Sequence, residues 1–277
     1  MLEKDEWFNA ICESYANPPV YFEGALLPGF PSDTVQTNTT GQSGPATLKE
    51  AFVFYQDCKA AFSRYGASLE EEGAALLDFG SGWGRIARFF VRELGYENIY
   101  GLDVMDEYVK ICNDTFRSKN FTLTSPFPPT KFEDGCFTHI VGYSVFSHLS
   151  EKACMQWMQE FHRLLPPGGM VALTTRGRPF FDYCQSMSGK GLTGYSGALA
   201  TIFGDFNAAR ARYDEGEFVH SNVKGVTGGG AMNSAFYGET FIPEAYAAEA
   251  YKDWFVLEEF SFDPTKQSHP VMFFRRI

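Results

Sequence analysis

A glycine-rich turn follows an apolar strand in the run Leu76-Leu77-Asp78-Phe79-Gly80-Ser81-Gly82-Trp83-Gly84-Arg85. Glycines at three alternate positions let the backbone turn tightly and open its N–H groups to a ligand. A dinucleotide-binding turn has the spacing G-x-G-x-x-G, and here the third glycine comes one residue earlier. The spacing therefore favours a nucleoside cofactor without a pyrophosphate. A turn of this kind can also serve packing alone, so both interpretations stay open at this point.

An aspartate at the end of the next predicted strand is placed to hold such a cofactor. Asp103 stands 19 residues after Gly84. A carboxylate there can accept hydrogen bonds from the two hydroxyls of a ribose. The alternative is that Asp103 caps the helix that follows it.

Two histidines are candidate general bases. The imidazole pKa lies near neutrality, so histidine is the first candidate for taking a proton from a reacting hydroxyl. His148 follows the fourth predicted strand on the ligand-binding side of the sheet, and His220 lies in a long irregular segment. The alternative for His148 is to cap the next helix. His139, His162 and His269 lie within strand or helix patterns and are weaker candidates.

Composition limits the classes of partner. The chain has 277 residues and a formal net charge of −11, and its sequence contains no run of Lys and Arg. Gripping a phosphate backbone needs a concentrated basic face, so neither nucleic acid nor an anionic membrane is an expected partner. A small-molecule partner is expected instead. Hydrophobic residues make up 44% of the chain, which is ample for a folded core.

The start of the chain and its cysteines indicate a cytoplasmic protein. The first six residues are mostly charged, no apolar signal segment follows them, and no apolar run approaches the roughly 20 residues that span a bilayer. The six cysteines lack C-x-x-C spacing, so we expect buried thiols and no metal site. The sequence gives no support for a particular oligomeric state.

The elements that must position these residues alternate between strand and helix. Helices are predicted over 6–15, 47–65, 106–117 and from about 150 to 165, and strands over 74–79, 99–102, 121–124, 137–143 and 170–175. A helix with Ile86, Phe89, Phe90 and Leu94 on one face is predicted after the glycine-rich turn, and irregular chain over 16–46. Such alternation indicates parallel pairing with helices on both faces of the sheet.

The end of the chain breaks this alternation. The strand-like runs 254–262 and 269–275 are joined by six residues, too few for a parallel crossover, so they predict an antiparallel hairpin. Residues 177–237 show little periodicity and follow the carboxyl end of the fifth strand. Ligands bind there in open α/β sheets, so this insertion is expected to build the substrate pocket. Tyr143, Tyr195, Phe180, Phe181 and Tyr183 are candidates for its lining, with core packing as the alternative.

Four segments occur in the order found in S-adenosylmethionine-dependent methyltransferases of the Rossmann-like class I, and the chain resembles that family. They are Asp78–Arg85, Gly101–Asp103, Ser144–Leu149 and Leu164–Gly169. The resemblance implies an α/β fold with a seven-stranded, mostly parallel sheet, an antiparallel last strand and helices on both faces. It also implies one methyltransferase domain over 1–277. Its predicted parts are an N-terminal cover (1–72), a cofactor-binding core (73–176), the insertion (177–237) and a C-terminal helix and hairpin (238–277).

The same resemblance implies S-adenosyl-L-methionine as the cofactor. Its predicted contacts are Asp78, Gly80, Ser81, Gly82, Trp83, Gly84, Arg85, Asp103, Val104, Pro126, Phe127 and Tyr143. Asp78 is expected to help hold the amino-acid portion of the cofactor, or to cap the turn. The segment after the third strand departs from the family because it lacks the acid that many members place beside the adenine. Pro126 and Phe127 are expected to supply a backbone and apolar wall there.

Two stretches narrow the resemblance to bacterial methyltransferases of sugars and other small molecules. They are Gly82-Trp83-Gly84-Arg85 and Phe236-Tyr237-Gly238-Glu239. The predicted function is transfer of a methyl group to a small polar acceptor, with a hydroxyl of a sugar or metabolite favoured. The alternatives are an N- or C-methyltransferase and a non-catalytic cofactor-binding protein. Glycine spacing and the C-terminal hairpin both disfavour a nicotinamide dehydrogenase.

Overall fold

The computed structural model describes residues 5–277, which fall into two compact units. Unit 1 extends to Leu123, and unit 2 is Thr124–Ile277. Residues 1–4, part of the charged start considered above, lie outside the described range. The prediction of one domain over the whole chain, with its four parts, stays a prediction.

Unit 1 places three parallel strands against helices of the N-terminal region. Its elements are α1 (Glu6–Ala16), β1 (Tyr21–Phe22), β2 (Ala25–Leu26), α2 (Asp33–Thr40), α3 (Pro45–Tyr65), β3 (Leu76–Phe79), α4 (Val91–Leu94), β4 (Ile99–Asp103), α5 (Asp106–Phe116) and β5 (Phe121–Leu123). Strand β4 pairs in parallel with β3 and with β5, whereas β1 and β2 form a small antiparallel pair. The buried aromatic face of α3 supplies much of the core.

Unit 2 combines parallel strands with the predicted C-terminal hairpin. Its elements are β6 (His139–Gly142), α6 (Glu151–Leu164), β7 (Met170–Thr174), α7 (Arg178–Ser186), α8 (Gly194–Leu199), α9 (Phe206–Asp214), β8 (Val219–Ser221), β9 (Glu239–Phe241), α10 (Glu244–Ala250), β10 (Phe255–Ser261) and β11 (Val271–Arg276). Strands β6 and β7 are parallel, and β11 is antiparallel to β7 and to β10. Strands β8 and β9 form a separate antiparallel pair.

The main sheet has seven strands, in the order β10-β11-β7-β6 within unit 2 and β3-β4-β5 within unit 1. The last strand of the chain, β11, is the antiparallel one. The predicted fold class is therefore confirmed. Within residues 5–277, no helix combines the length and apolarity needed to cross a membrane.

One helix was not predicted. Residues 33–40 form α2, where irregular chain was expected because the segment is polar and rich in threonine. The Ser32 side chain accepts a hydrogen bond from the N–H of Val35, and Gly41 ends the helix in the left-handed conformation. The fully buried Gln36 amide bonds the carbonyl of Pro31 and the N–H of Gly44. End caps and one buried amide, not an apolar face, thus hold α2.

Two other predictions need correction. The helix expected after the glycine-rich turn is broken into a 3-10 helix, Ala87–Phe90, and the single-turn α4. Its predicted apolar residues are nevertheless all buried. Cys136 is exposed and not buried, because it follows Gly135 in a turn outside β6. Four other cysteines are buried, and Cys12 is half-buried.

The insertion has its own apolar core. Helices α7, α8 and α9 pack with β8 and β9 around Phe181, whose ring stacks on Phe241 at 3.9 Å between centroids. Phe181 is thus a core residue and does not line a pocket. Tyr183 is exposed, and Tyr195 is partly exposed.

Candidate functional site

The glycine-rich turn of unit 1 has the backbone that its glycines predicted. Gly80, Gly82 and Gly84 have φ of +72°, +51° and +79°, in the left-handed region where glycine is favoured. At Gly84 a Cβ would also lie 2.5 Å from Cε2 of Phe116. At Gly82 the space is open, with Cγ2 of Thr39 the nearest atom at 3.6 Å. The turn is therefore packed at Gly84 and accessible at Gly82.

Asp103 is tied to this turn by its carboxylate. The N–H of Gly82 donates to Oδ2 at 2.9 Å, and the N–H of Met105 donates to Oδ1 at 2.9 Å. Burial raises the pKa of Asp103, and the backbone N–H groups of Met105 and Gly82 oppose that rise. Met105, not Asp103, occupies the N-cap position of α5. A carboxylate oxygen can accept more than one hydrogen bond, so Asp103 retains capacity for a ribose hydroxyl.

Asp78 lies at the end of β3 and is almost fully buried. Its Oδ2 accepts a hydrogen bond from the N–H of Ala87 at 3.2 Å, as the turn-capping alternative expects. Burial raises the pKa of Asp78 to about 7, and the negative charge of Asp103 adds to that rise. Ser81 is also buried, and its N–H donates to the carbonyl of Leu102 at 3.0 Å. Whether Asp78 also contacts the cofactor stays a prediction.

The side chains of Trp83 and Arg85 are engaged within unit 1. Trp83 is fully buried against Phe30. A guanidinium nitrogen of Arg85 donates to the carbonyl of Thr47 at 3.2 Å and to Glu50 at 3.0 Å. The hydrogen bonds of Arg85 connect the glycine-rich turn to helix α3, which contains Thr47 and Glu50. The predicted role of both residues in closing over the methionine portion stays a prediction.

Arg88 is a structural residue of this turn that the sequence did not single out. It is fully buried, with its guanidinium 3.9 Å from the Phe30 ring centroid and 4.8 Å from that of Trp83. Its Nε donates to the carbonyl of Gly84 at 3.1 Å. Burial lowers the pKa of Arg88 to about 9. The available signal was an arginine within the apolar run from Ile86 to Phe90.

The remaining predicted cofactor contacts stay predictions. Val104 is half-buried next to Asp103 in unit 1. In unit 2 the carbonyl of Pro126 accepts a hydrogen bond from the indole of Trp157 at 3.0 Å. The Phe127 ring lies edge-on to Phe236. Tyr143 is buried, with its ring 5.4 Å from the imidazole of His269.

A buried carboxylate, Glu239, organises the polar residues of unit 2. Its Oε2 pairs with Nε of Arg176 at 2.9 Å, and its Oε1 accepts a hydrogen bond from the Tyr195 hydroxyl at 2.5 Å. Nδ1 of His148 lies 3.3 Å from the same Oε1. Burial opposes ionisation, but an imidazolium at His148, the charge of Arg176 and these hydrogen bonds outweigh it and lower the pKa of Glu239 to about 2. Glu239 is therefore a carboxylate at neutral pH.

The turn after β6 positions His148. It begins at Ser144, which has φ of +59° and whose N–H donates to the Thr174 hydroxyl. Nδ1 of His148 lies 2.7 Å from the carbonyl oxygen of Gly238. The imidazole stacks on the Tyr237 ring, with 4.8 Å between centroids and 3° between planes. Its orientation is thus fixed from two sides.

The insertion positions His220 beside the same short strand. Nδ1 of His220 lies 2.7 Å from Oγ1 of Thr240, and that hydroxyl donates to the carbonyl of Leu149 at 2.7 Å. Nε2 of His220 is buried and has no hydrogen-bond partner among residues 5–277. Burial lowers the pKa of His220, Glu239 raises it, and His148 lowers it. The two predicted histidines therefore meet at one buried cluster.

Three consecutive residues, Gly238, Glu239 and Thr240, hold this cluster together, and we call them the β9 clasp. Its backbone bonds run from Gly238 N–H to the His148 carbonyl at 2.8 Å and from Thr240 N–H to the Ser147 carbonyl at 2.8 Å. A Cβ on Gly238 would lie 2.2 Å from the carbonyl oxygen of Ser221, so only glycine fits there. The clasp joins the turn after β6 to β8.

Glu239, Arg176 and Thr240 were missed as site residues. The sequence offers little to identify them. Arg176 comes two residues after the end of β7, and Glu239 is a single acidic residue shortly before the apolar pair Phe241-Ile242. Neither signal identifies a partner. The pairing of Arg176 with Glu239 spans 63 positions of chain.

Comparison with known proteins finds a match for the part of the chain that contains the glycine-rich turn and Asp103. A family model described as "Methyltransferase domain" matches residues 76–169. The protein named "Probable fatty acid methyltransferase" from Pseudomonas putida is 26% identical over 103 residues, or 36% of this chain and 26% of that protein. The chain thus spans about a quarter of the length of that curated relative.

Two solved structures resemble this chain at low sequence identity. Magnesium protoporphyrin IX methyltransferase from Synechocystis PCC 6803, with bound SAH, has a TM-score of 0.51 and 11% identity over 84% of this chain and 87% of its own. DesVI from Streptomyces venezuelae has a TM-score of 0.48 and 13% identity over 83% of this chain and 92% of its own.

Residues 76–169 thus match the methyltransferase-domain family, which agrees with the predicted family and with S-adenosylmethionine as the predicted cofactor. The residues of unit 1 fit that cofactor. The carboxylate of Asp103 suits a pair of hydroxyls, and the open backbone at Gly82 admits a ligand that a side chain would block.

Proposed function

We propose that the protein is an S-adenosylmethionine-dependent methyltransferase whose acceptor is a small polar molecule, methylated on a hydroxyl of a sugar or another metabolite. The observation that carries this proposal is the cluster of unit 2, in which two histidines meet around the ionised Glu239. The chain's net charge of −11 supports a small acceptor, because a nucleic acid would be repelled. A cytoplasmic location accompanies the proposal.

The two units have different tasks in this proposal. Asp103 and the backbone of residues 80–84 hold the cofactor, which supplies an electrophilic methyl group when bound. The protein then has to align an acceptor and remove its proton. His148 and His220 are the candidate bases, because an imidazole can take a proton at neutral pH.

A hydroxyl acceptor explains why two histidines would be held so firmly. A neutral amine needs little help to react with a sulfonium methyl group, whereas a hydroxyl gains nucleophilicity when its proton is taken during transfer. The name of the Pseudomonas relative mentions a fatty acid, but the match covers only a quarter of that protein. Fatty acids therefore belong among the acceptors to be tested.

Cofactor binding is tested by calorimetry with S-adenosylhomocysteine. Asp103→Asn removes the charge from the proposed ribose ligand and should weaken binding by about 10- to 100-fold, as expected for charge-assisted hydrogen bonds of about 1.5–3 kcal/mol. The matched control is Asp106→Asn, three residues further on, where the exposed carboxylate pairs only with Lys110 in the described contacts. Equal affinities for wild type and Asp103→Asn would contradict the placement of the ribose.

Methyl transfer is tested with S-adenosylmethionine carrying a labelled methyl group. The panel contains neutral sugars and polyols, carboxylic acids including fatty acids, and amines. Label transferred to the neutral hydroxyl compounds, and lost in the variant with His148→Ala and His220→Ala, supports the proposal. Turnover confined to amines or carbon acceptors favours the alternative enzyme classes. Tight cofactor binding without any turnover favours a non-catalytic protein.

A further inference from the structure

The proton positions on both histidines follow from their partners. A carbonyl oxygen carries no proton, so Nδ1 of His148 must donate to the carbonyl of Gly238. The single proton of the Thr240 hydroxyl goes to the carbonyl of Leu149, so Nδ1 of His220 must donate to Thr240. Both neutral rings therefore carry their proton on Nδ1 and a lone pair on Nε2.

The surroundings of the two rings differ in charge. Nδ1–H of His148 lies beside the carboxylate of Glu239, which stabilises an imidazolium when one forms. Nδ1–H of His220 meets only the neutral Thr240 hydroxyl. Other charged or titratable groups of the cluster are Arg176, which pairs with Glu239 and lies 2.8 Å from Nε2 of His269, and the hydroxyls of Tyr195 and Tyr237. A cation at His148 is thus compensated at contact distance, whereas one at His220 is not.

The unpartnered Nε2 of His220 adds a second observation. A buried ring nitrogen with a lone pair and no donor within residues 5–277 leaves a hydrogen bond unmade. Such a loss is unfavourable unless a ligand supplies the donor. The burial that lowers the pKa of His220 also keeps this nitrogen unprotonated near neutral pH.

We propose that the two histidines have different tasks and that the acceptor offers two hydrogen-bond donors. His148 takes the proton of the methylated hydroxyl on Nε2, with Glu239 as its positioning residue. His220 stays neutral and accepts a hydrogen bond from a second O–H or N–H of the acceptor, with Thr240 as its positioning residue. The proposed acceptor is therefore a diol or an amino alcohol. This assignment rests on the proposed function.

The proton and electron balance of the step is complete. The acceptor's O–H bond breaks and its proton goes to Nε2 of His148, while its oxygen forms the new O–CH3 bond. The S–CH3 bond breaks with its electron pair remaining on sulfur, so the sulfonium becomes a neutral thioether. His148 leaves the step as an imidazolium beside Glu239 and returns the proton to water.

The tautomers are tested by NMR on protein labelled with 15N in its imidazoles, without cofactor or acceptor. His148→Asn and His220→Asn assign the signals among the five histidines of the chain. Wild type should show both rings with the proton on Nδ1. Thr240→Val should release His220 from that form and leave His148 unchanged, and Thr240→Ser should restore it. A proton on Nε2 of His220 in wild type would overturn the assignment.

The division of tasks is tested by kinetics with a diol found in the methyl-transfer panel. His148→Asn should lower kcat by about 10²- to 10⁴-fold, as loss of a general base does, with a small change in acceptor KM. His220→Asn and Thr240→Val should mainly raise acceptor KM, and Thr240→Ser should restore it. Equal losses of kcat in both histidine variants, or better turnover of simple alcohols than of diols, would overturn the proposal.

Failure of the proposed function is distinguishable from failure of this assignment. Turnover of no acceptor at all would overturn the proposed function and with it the division of tasks. The spectra would still decide the two tautomers, since they require no turnover. Turnover of diols with the proton on Nε2 of His220 would overturn the assignment alone.

Discussion

Glu239→Gln keeps the shape of the side chain and removes its charge, and we expect it to destabilise the protein by about 3 kcal/mol at pH 7. In the folded protein the pKa of Glu239 falls from its ordinary 4.5 to about 2. Because one pKa unit corresponds to about 1.4 kcal/mol, the charge contributes about 3 kcal/mol to folding. Leaving one member of a buried ion pair alone typically costs about 3–5 kcal/mol, which agrees.

The pH dependence follows from the sign of this shift. The pKa of Glu239 is lower in the folded than in the unfolded protein, so its contribution is complete above about pH 4.5 and is lost as the pH falls towards 2. The difference in unfolding free energy between wild type and Glu239→Gln should therefore shrink from about 3 kcal/mol at pH 7 to about 1 kcal/mol at pH 3. Taking the difference cancels the other carboxylates.

Urea unfolding at pH 7, 4 and 3, followed by circular dichroism, measures this difference. The matched control is Asp214→Asn, which removes a carboxylate from an exposed pair with Arg178, and its effect should be much smaller. Adding Arg176→Met to Glu239→Gln should recover part of the loss, because it removes the unpaired buried cation. A difference that stays constant from pH 7 to pH 3, or a harmless Glu239→Gln, would refute the reasoning.

Two further predictions concern unit 1. Gly84→Ala combines left-handed backbone strain of about 1–2 kcal/mol with a clash against Phe116 of about 1–3 kcal/mol, whereas Gly82→Ala has the backbone strain alone. The urea midpoint should therefore fall further for Gly84→Ala than for Gly82→Ala. Equal midpoints would contradict the packing described at Gly84. Asp78 has a folded pKa of about 7 against an ordinary 3.8, so it weakens the fold progressively as the pH rises from about 4 to 7. Asp78→Asn should gain stability relative to wild type between pH 5 and pH 8, and a pH-independent difference would show that Asp78 is not protonated in the fold.

The glycine-rich turn and the sheet could be predicted because their determinants are local. The alternation of strands and helices, the early third glycine and the short C-terminal connection each lie within a few residues of chain. The left-handed φ at Gly80, Gly82 and Gly84 follows from residue type alone. The helix predicted after Gly84 from its apolar periodicity is an exception. There the backbone forms a 3-10 helix, and the Arg88 side chain within it is buried between aromatic rings.

The polar cluster of unit 2 depends instead on contacts that no local pattern encodes. His148 and His220 could be selected by residue type and position, but the tautomer of each ring depends on Gly238 and Thr240, which lie 90 and 20 residues away along the chain. Helix α2 also could not be predicted from local pattern. Its polar sequence gives no apolar face, and the helix is held by the buried amide of Gln36, which bonds to Pro31 and Gly44.

Under the proposed function, the β9 clasp controls the position of both candidate histidines. Its three residues differ in what they supply: a carbonyl at Gly238, a charge at Glu239 and a hydroxyl at Thr240. Because Gly238 and Thr240 also donate backbone hydrogen bonds to the turn that carries His148, a shift of this strand would move both imidazoles together. Placement of the proposed base therefore depends on the clasp, and at Gly238 only glycine fits, because a Cβ would lie 2.2 Å from the carbonyl oxygen of Ser221.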